Sequence, residues 1–236
     1  MMLDNKDRLV KIIIAGEGGQ GVQTIGELLA EAAYISGKQA LYIPNFGVEQ
    51  RGGVSIAFVQ IAEGKIGSPK FQKADLLVVL SQRSVERTKD YLKQDSIYLY
   101  DESNIQAPLI DDQAVGVHGY DTVAPEAFAK MVGTGEGEAI LPPKKGLIQL
   151  GIPAAKVAKE QLTPRVFNII ILGALVSVSK VMDPEKIKEA LERKLGEKFK
   201  LNPKLRELNF NALETGMRMG LDSFQGQSKE LRELKS

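Results

Sequence analysis

The 236-residue sequence predicts a three-layer α/β/α domain with a mainly parallel, mixed sheet and helices added at its C-terminal end. Three observations lead there. Several short runs are apolar throughout, as strands covered on both faces are. They alternate with segments in which apolar residues return every three or four positions, as on a helix with one buried face. A glycine-rich loop joins the first strand to the first helix.

Each element can be justified in turn. The run "VKIIIA" (residues 10–15) is β-branched and reads as a central strand. Val22, Ile25, Leu28, Leu29, Ala32 and Ala33 then repeat at helical spacing, and Gly37 ends that helix. "QALYIP" (39–44) is a second strand, so the first 44 residues read as one β-loop-α-β unit with a right-handed crossover. After the polar glycine loop "NFGVEQRGG" come strands at 54–61 and 74–80, a helix at 84–92 and a strand at 96–101. Residues 102–146 are rich in Gly, Pro and charge, and are expected to form a loop-rich insertion with one short helix at 125–131. "LIQLGIP" is a short strand, and helices follow at 153–162 and 165–182. Asp183 caps the next helix, Pro184 opens it and Gly196 closes it. Asn202 and Pro203 start a last helix that ends at Gly220. Residues 1–220 are thus expected to make one domain, and the polar tail 221–236 to be frayed or ordered by a partner.

Composition narrows the chemistry. Hydrophobic residues at 43% and charged residues at 26% fit an ordinary soluble domain. A net charge of +1 supplies no field for nucleic acid or an acidic membrane surface. Cys is absent, which excludes disulfides, thiolate nucleophiles and iron–sulfur clusters held by this chain. His118 is the sole histidine, so a histidine metal site or catalytic triad is excluded in practice. Demanding chemistry must then come from a cofactor or another subunit. The apolar run "VFNIIILGALVSVS" falls short of the roughly 20 residues that a membrane span needs. With no signal-type N-terminus, the expected location is the cytoplasm.

"GEGGQG" places Gly16, Gly18, Gly19, Gln20 and Gly21 between a strand and a helix. Gly16, Gly18 and Gly21 match G-x-G-x-x-G, whose glycines let backbone N–H groups approach an anion at a helix start. Two readings remain: contact with an anion or cofactor, and a tight turn that binds nothing. A nicotinamide dinucleotide site also wants an acid at the end of the second strand, and "YIPNFG" offers none. The G-K-[ST] ending of an ATPase loop is missing too. The second loop holds Glu49, Arg51, Gly52 and Gly53. Arg51 beside glycines suits a phosphate or carboxylate clamp, and Glu49 could orient it; a salt bridge within the loop fits equally well. Asp111 with Asp112, "PPKKG" and His118 are read as solvated loop residues, and Asn168 as a structural hydrogen-bonding residue.

Together, "IIIAGEGGQGVQTIGELLAEAA" and "PNFGVEQRGGVSIAFVQI" resemble the gamma subunit of the 2-oxoacid:ferredoxin oxidoreductases, which act on pyruvate, 2-ketoisovalerate or 2-oxoglutarate. Ser68-Pro69, "IPAAKVAKEQL", "FNIIILGAL" and "NPKLRELNFNALETG" carry the resemblance to Gly220, with Pro153, Asn168 and Gly173 at matching positions. It implies a Rossmann-like fold and an oxidoreductase active only as a multisubunit complex. That complex converts a 2-oxoacid to acyl-CoA and CO2, or runs the reverse. Alpha, beta and in some members delta subunits carry thiamine diphosphate with magnesium and the [4Fe-4S] clusters, and ferredoxin accepts the electrons. No cofactor is then held by this chain alone. Its motif residues Gly16, Gly18, Gly19, Gln20, Gly21, Glu49, Arg51, Gly52 and Gly53 are implied at a coenzyme A site. The alternatives are a stand-alone Rossmann-type nucleotide binder, an indolepyruvate-type subunit, and a scaffold whose glycine loops touch neighbouring subunits. Homodimerisation is expected, partly through the apolar surface of the 166–182 helix.

Overall fold

The strands come first, because their order decides where the loops meet. The computed structural model describes residues 9–46, 53–105 and 147–233. Six strands form one sheet: β1 (Val10–Glu17), β2 (Gln39–Phe46), β3 (Val54–Ala62), β4 (Leu76–Val79), β5 (Ile97–Asp101) and β6 (Ile148–Ile152). Their order is β2-β3-β1-β4-β5-β6. β1, β4, β5 and β6 are parallel neighbours, while β3 runs antiparallel between β1 and β2. The mixed sheet expected from sequence is therefore present.

One connection differs from the expected unit. β2 does not lie beside β1; it forms an antiparallel hairpin with β3, which is inserted between them. Burial explains the order. Ala57, Val59 and Ile61 of β3 are buried under one face while Phe58 packs on the other, so β3 needs a neighbour on each side. β2 carries Pro44, which has no N–H for a ladder, and its last three residues are exposed, as suits an edge.

Helices α1 (Val22–Ile35), α2 (Gln82–Thr88), α3 (Ala154–Gln161), α4 (Phe167–Ser179), α5 (Pro184–Leu201) and α6 (Pro203–Glu233) cover the sheet. α1 buries the six apolar residues that predicted it, and ends in a Schellman closure: Gly37 has φ +74°, and Lys38 N–H donates to the Ala33 carbonyl at 2.9 Å. The larger core lies between the sheet and α1, α3, α4, α5 and α6. The opposite face holds Ile13, Ala15, Leu77, Val79 and Tyr98 under α2, closed by Phe58 edge-on to Phe71 (5.7 Å) and Tyr91 (5.6 Å). Ser68 and Pro69 act there through their carbonyls, which accept from the buried Gln60 amide at 2.8 and 3.2 Å.

Three further expectations need correction. Gly196 does not end its helix: α5 runs on to Leu201, because Phe199 is buried and packs edge-on to Phe210 at 6.4 Å. α6 does not stop at Gly220 but continues to Glu233. The apolar 166–182 segment has no free face for a partner. Twelve of the thirteen residues of α4 are buried within this chain, most closely by α6. Asp183 caps α5 as expected, accepting from Glu185 N–H at 3.0 Å, with Pro184 at the first helical position. The predicted helix 125–131, Asp111, Asp112, His118 and "PPKKG" lie outside the described residues. Among the described residues, no helix is long and apolar enough to cross a membrane.

Candidate functional site

β1 runs out of sheet at Glu17, and the chain turns sharply into α1. Gly19 (φ +95°) and Gly21 (φ +77°) supply the left-handed conformations of that turn. Gly16 is needed for space: a Cβ there would lie 2.7 Å from Gln20 Oε1 and 2.8 Å from a Val22 methyl. Gly21 is needed for space as well, since its Cβ would come within 2.6 Å of the Asn168 amide nitrogen at the start of α4. Among the described residues no side chain caps α1, and its first turn has no acidic residue. Its first amides thus face solvent chemistry that favours an anion.

The inserted β3 brings the second glycine loop to the same place. β2 points the same way as β1, so its end at Phe46 and the start of β3 lie at the carboxyl edge, beside Glu17. Gly18 N–H donates to the Gly53 carbonyl at 3.3 Å, joining the two loops directly. Gly16, Gly18, Gly19, Gln20, Gly21 and Gly53 are therefore one cluster, with Gly18 and Gly19 exposed. Glu49, Arg51 and Gly52 lie outside the described residues. Behind the loops, Tyr42 OH donates to Gln23 Oε1 at 2.6 Å, and Gln23 Nε2 donates to Ser55 Oγ at 2.7 Å and the Ile56 carbonyl at 3.1 Å. This chain of bonds fixes α1 to the β2–β3 hairpin. Burial, then the charge of Glu27, pushes the Tyr42 hydroxyl pKa up, so Tyr42 stays a donor at neutral pH.

The Gln20 side chain turns back onto the sheet. Its Oε1 accepts from Glu17 N–H at 2.6 Å and its Nε2 donates to the Leu80 carbonyl at 3.0 Å. The amide thus bridges the ends of β1 and β4. Asn168 packs over Gly21, and its contact with the loop is steric; among the described residues no hydrogen bond of its side chain is seen. The antiparallel β3 occupies the place beside β1 where a dinucleotide fold would have the strand bearing the ribose acid.

Three residues at this edge escaped the sequence reading. Glu17 Oε1, Gln82 Nε2 and Asp101 Oδ2 are buried atoms with no hydrogen-bond partner among the described residues. They stand at or just beyond the ends of β1, β4 and β5. The only signal was position: each follows a run of buried strand residues. Asp101 is fully buried, and its Oδ1 accepts from Ser103 N–H (3.3 Å) and Ala155 N–H (3.2 Å), tying β5 to the start of α3. Burial raises its pKa, against the lowering effect of those backbone donors. The native state therefore holds this proton more tightly than the unfolded chain does. Its contribution to stability is full below the unfolded pKa and is lost as pH rises through the raised native value. Asp101→Asn is expected to flatten that decline, so urea midpoints of variant and wild type should draw apart in the variant's favour between pH 4 and pH 7. A difference constant with pH would show that Asp101 does not titrate in this range. Among the described residues there is no group of three or more His, Cys, Asp or Glu side chains that could hold a metal.

Comparison with known proteins adds to this geometry. The family model described as pyruvate ferredoxin/flavodoxin oxidoreductase matches residues 11–219. The ketoisovalerate oxidoreductase subunit VorA of Methanothermobacter marburgensis is 29% identical over 225 residues, 95% of this chain and 39% of that one. This chain thus spans about two fifths of that relative's length. The 2-oxoglutarate synthase subunit KorC of Methanocaldococcus jannaschii is 30% identical over 183 residues, covering 77% of this chain and 81% of its own. Among solved structures, the keto/oxoacid ferredoxin oxidoreductase gamma subunit of Geobacter sulfurreducens superposes with a TM-score of 0.65 at 25% identity, over 92% of this chain and 98% of that one.

Proposed function

Since the chain belongs to the pyruvate ferredoxin/flavodoxin oxidoreductase family, we propose that it is the gamma-type subunit of a 2-oxoacid:ferredoxin oxidoreductase and lends its glycine loops to the coenzyme A site. The observation that carries this reading is the Gly18–Gly53 hydrogen bond, which ties the first glycine loop to the last glycine of the second motif beside the start of α1. The backbone amides of Gly19 and Gly21 and the Arg51 guanidinium would receive the phosphates of coenzyme A, whose thiol takes the acyl group in the complex. Thiamine diphosphate with magnesium, the [4Fe-4S] clusters and the ferredoxin contact belong to alpha, beta and delta partners in this reading, and the complex to the cytoplasm. The similarity to KorC over most of both chains supports a separate subunit of this kind.

Arg51→Ala in the reconstituted complex is expected to raise the apparent KM for coenzyme A by about 10-fold or more, since a charge-assisted hydrogen bond contributes about 1.5–3 kcal/mol. The KM for the 2-oxoacid should move far less. An unchanged KM for coenzyme A, with weakened subunit assembly, would instead support loops that touch neighbouring subunits. A nicotinamide nucleotide bound by the isolated chain would favour the stand-alone binder. The expected two-fold dimer is checked by sedimentation at micromolar concentration, where a clean monomer would remove it.

A further inference from the structure

The loop 16–21 has a physical difficulty: four of its six residues are glycine. Glycine loses more conformational freedom on ordering than any other residue, so such a loop does not hold a ligand-ready shape unaided. Among the described residues its backbone ties are few. Gln20 N–H donates to the Glu17 carbonyl at 3.1 Å, and Gly18 N–H reaches Gly53 at a long 3.3 Å. The side chain of Gln20 adds the two bonds that close the loop onto the sheet, to Glu17 N–H and to the Leu80 carbonyl. Leu80 is itself fixed, because its N–H donates to the Ala15 carbonyl at 2.9 Å. Leu80, the residue that follows β4, is therefore held twice, by β1 at its N–H and by Gln20 at its carbonyl. A primary amide is suited to this place because it offers a donor and an acceptor at the end of one arm. Gly16 keeps the space that the amide oxygen fills.

We infer that Gln20 is a positioning residue: its amide latches the glycine loop to the end of β4 and so aims the Gly19 and Gly21 amides at their ligand, without touching the ligand itself. The ligand arm of this inference rests on the coenzyme A reading above; the latch does not. Gly16→Ala should act like loss of Gln20, because its methyl would displace the amide oxygen while leaving the amide in the chain.

The test joins hydrogen exchange on the ligand-free complex with steady-state kinetics. Gln20→Met keeps the bulk and deletes both bonds. Loop amides 18–22 are expected to exchange at least tenfold faster in this variant, and KM for coenzyme A to rise about tenfold, with kcat falling much less. Should Gln20→Met not assemble, Gly16→Ala carries the same expectation. Unchanged exchange overturns the latch, and a raised KM beside unchanged exchange would make Gln20 a direct contact. Faster exchange with KM unmoved, while Arg51→Ala raises it, overturns the positioning role. If exchange quickens and neither variant moves KM, the coenzyme A reading fails and the latch stands.

Discussion

Gly216→Val is expected to destabilise the purified chain by about 3 kcal/mol or more, a large share of the 5–15 kcal/mol typical of a folded domain. The reason is the crossing of α4 and α6, where backbone touches backbone. A Cβ at Gly216 would overlap the Ile170 carbonyl oxygen and lie 2.9 Å from the Ile170 Cα. A Cβ at Gly173 would overlap the Leu213 carbonyl oxygen, and one at Gly220 would sit 2.6 Å from Ser177 Oγ and 2.9 Å from the Ala174 Cα. Gly216 and Gly220 are four apart on one helix face and receive α4 along its length. At Gly173 and Gly216 these neighbours are backbone atoms, so relief requires the helices to part. α4 is buried nearly all round, and parting would open the main core. Thermal unfolding should show a fall of about 6–12 °C for that loss in a chain of this size. Gly196→Ala is the control. It stands within α5 with nothing inside 4 Å of its Cβ, and should stabilise by about 0.5–1 kcal/mol. Equal effects at Gly216 and Gly196 would show that helix propensity alone is being measured.

A comparable loss is expected at the loop itself, from two causes that can be separated. Gly21 has φ +77° and faces the Asn168 side chain, whereas Gly19 has φ +95° and nothing within 4 Å. Alanine in the left-handed region costs about 1–2 kcal/mol, and the overlap with Asn168 adds about 1–3 kcal/mol. Gly19→Ala should therefore cost about 1–2 kcal/mol and Gly21→Ala about 2–5 kcal/mol in urea denaturation. Adding Asn168→Ala to Gly21→Ala should return the steric part, giving a coupling of about 1 kcal/mol or more, while doing nothing for Gly19→Ala. Equal costs at Gly19 and Gly21, with no coupling, would mean that Asn168 does not press on the loop.

These two sites mark what could and could not be read in advance. The strands were legible because a strand covered on both faces leaves a continuous apolar run, as in "KIIIA" and "LLVVL". The insertion of β3 was not, since periodicity along one strand says nothing of its neighbours. The apolar all-round character of α4 was visible, but its partner was not. The signal was the pair Gly216 and Gly220 on a helix that otherwise reads as charged. Gly196 misled because a lone glycine looks alike at a helix end and within a helix; only the burial of Phe199 distinguishes them. The motif glycines were legible as a tight strand-to-helix turn because spacing and context agree. The inward use of Gln20 was not, because its two partners, Glu17 and Leu80, are brought together only by the pairing of β1 with β4.

The hairpin register has a consequence for how finely the site is set. Gly18 meets Gly53 only because Glu17 stands opposite Val54. That alignment is enforced further down β3, where Phe58 must face Phe71 and Tyr91 while Ala57 and Val59 face the helices. A slip of one residue would exchange the two faces along the whole strand. The aromatic cluster on the far side of the sheet thus works as a vernier: an error of one notch there is refused by packing, and the tolerance at the two loops is inherited from it. Phe58 stands well along β3 from Gly53, yet it calibrates where Gly53 meets Gly18.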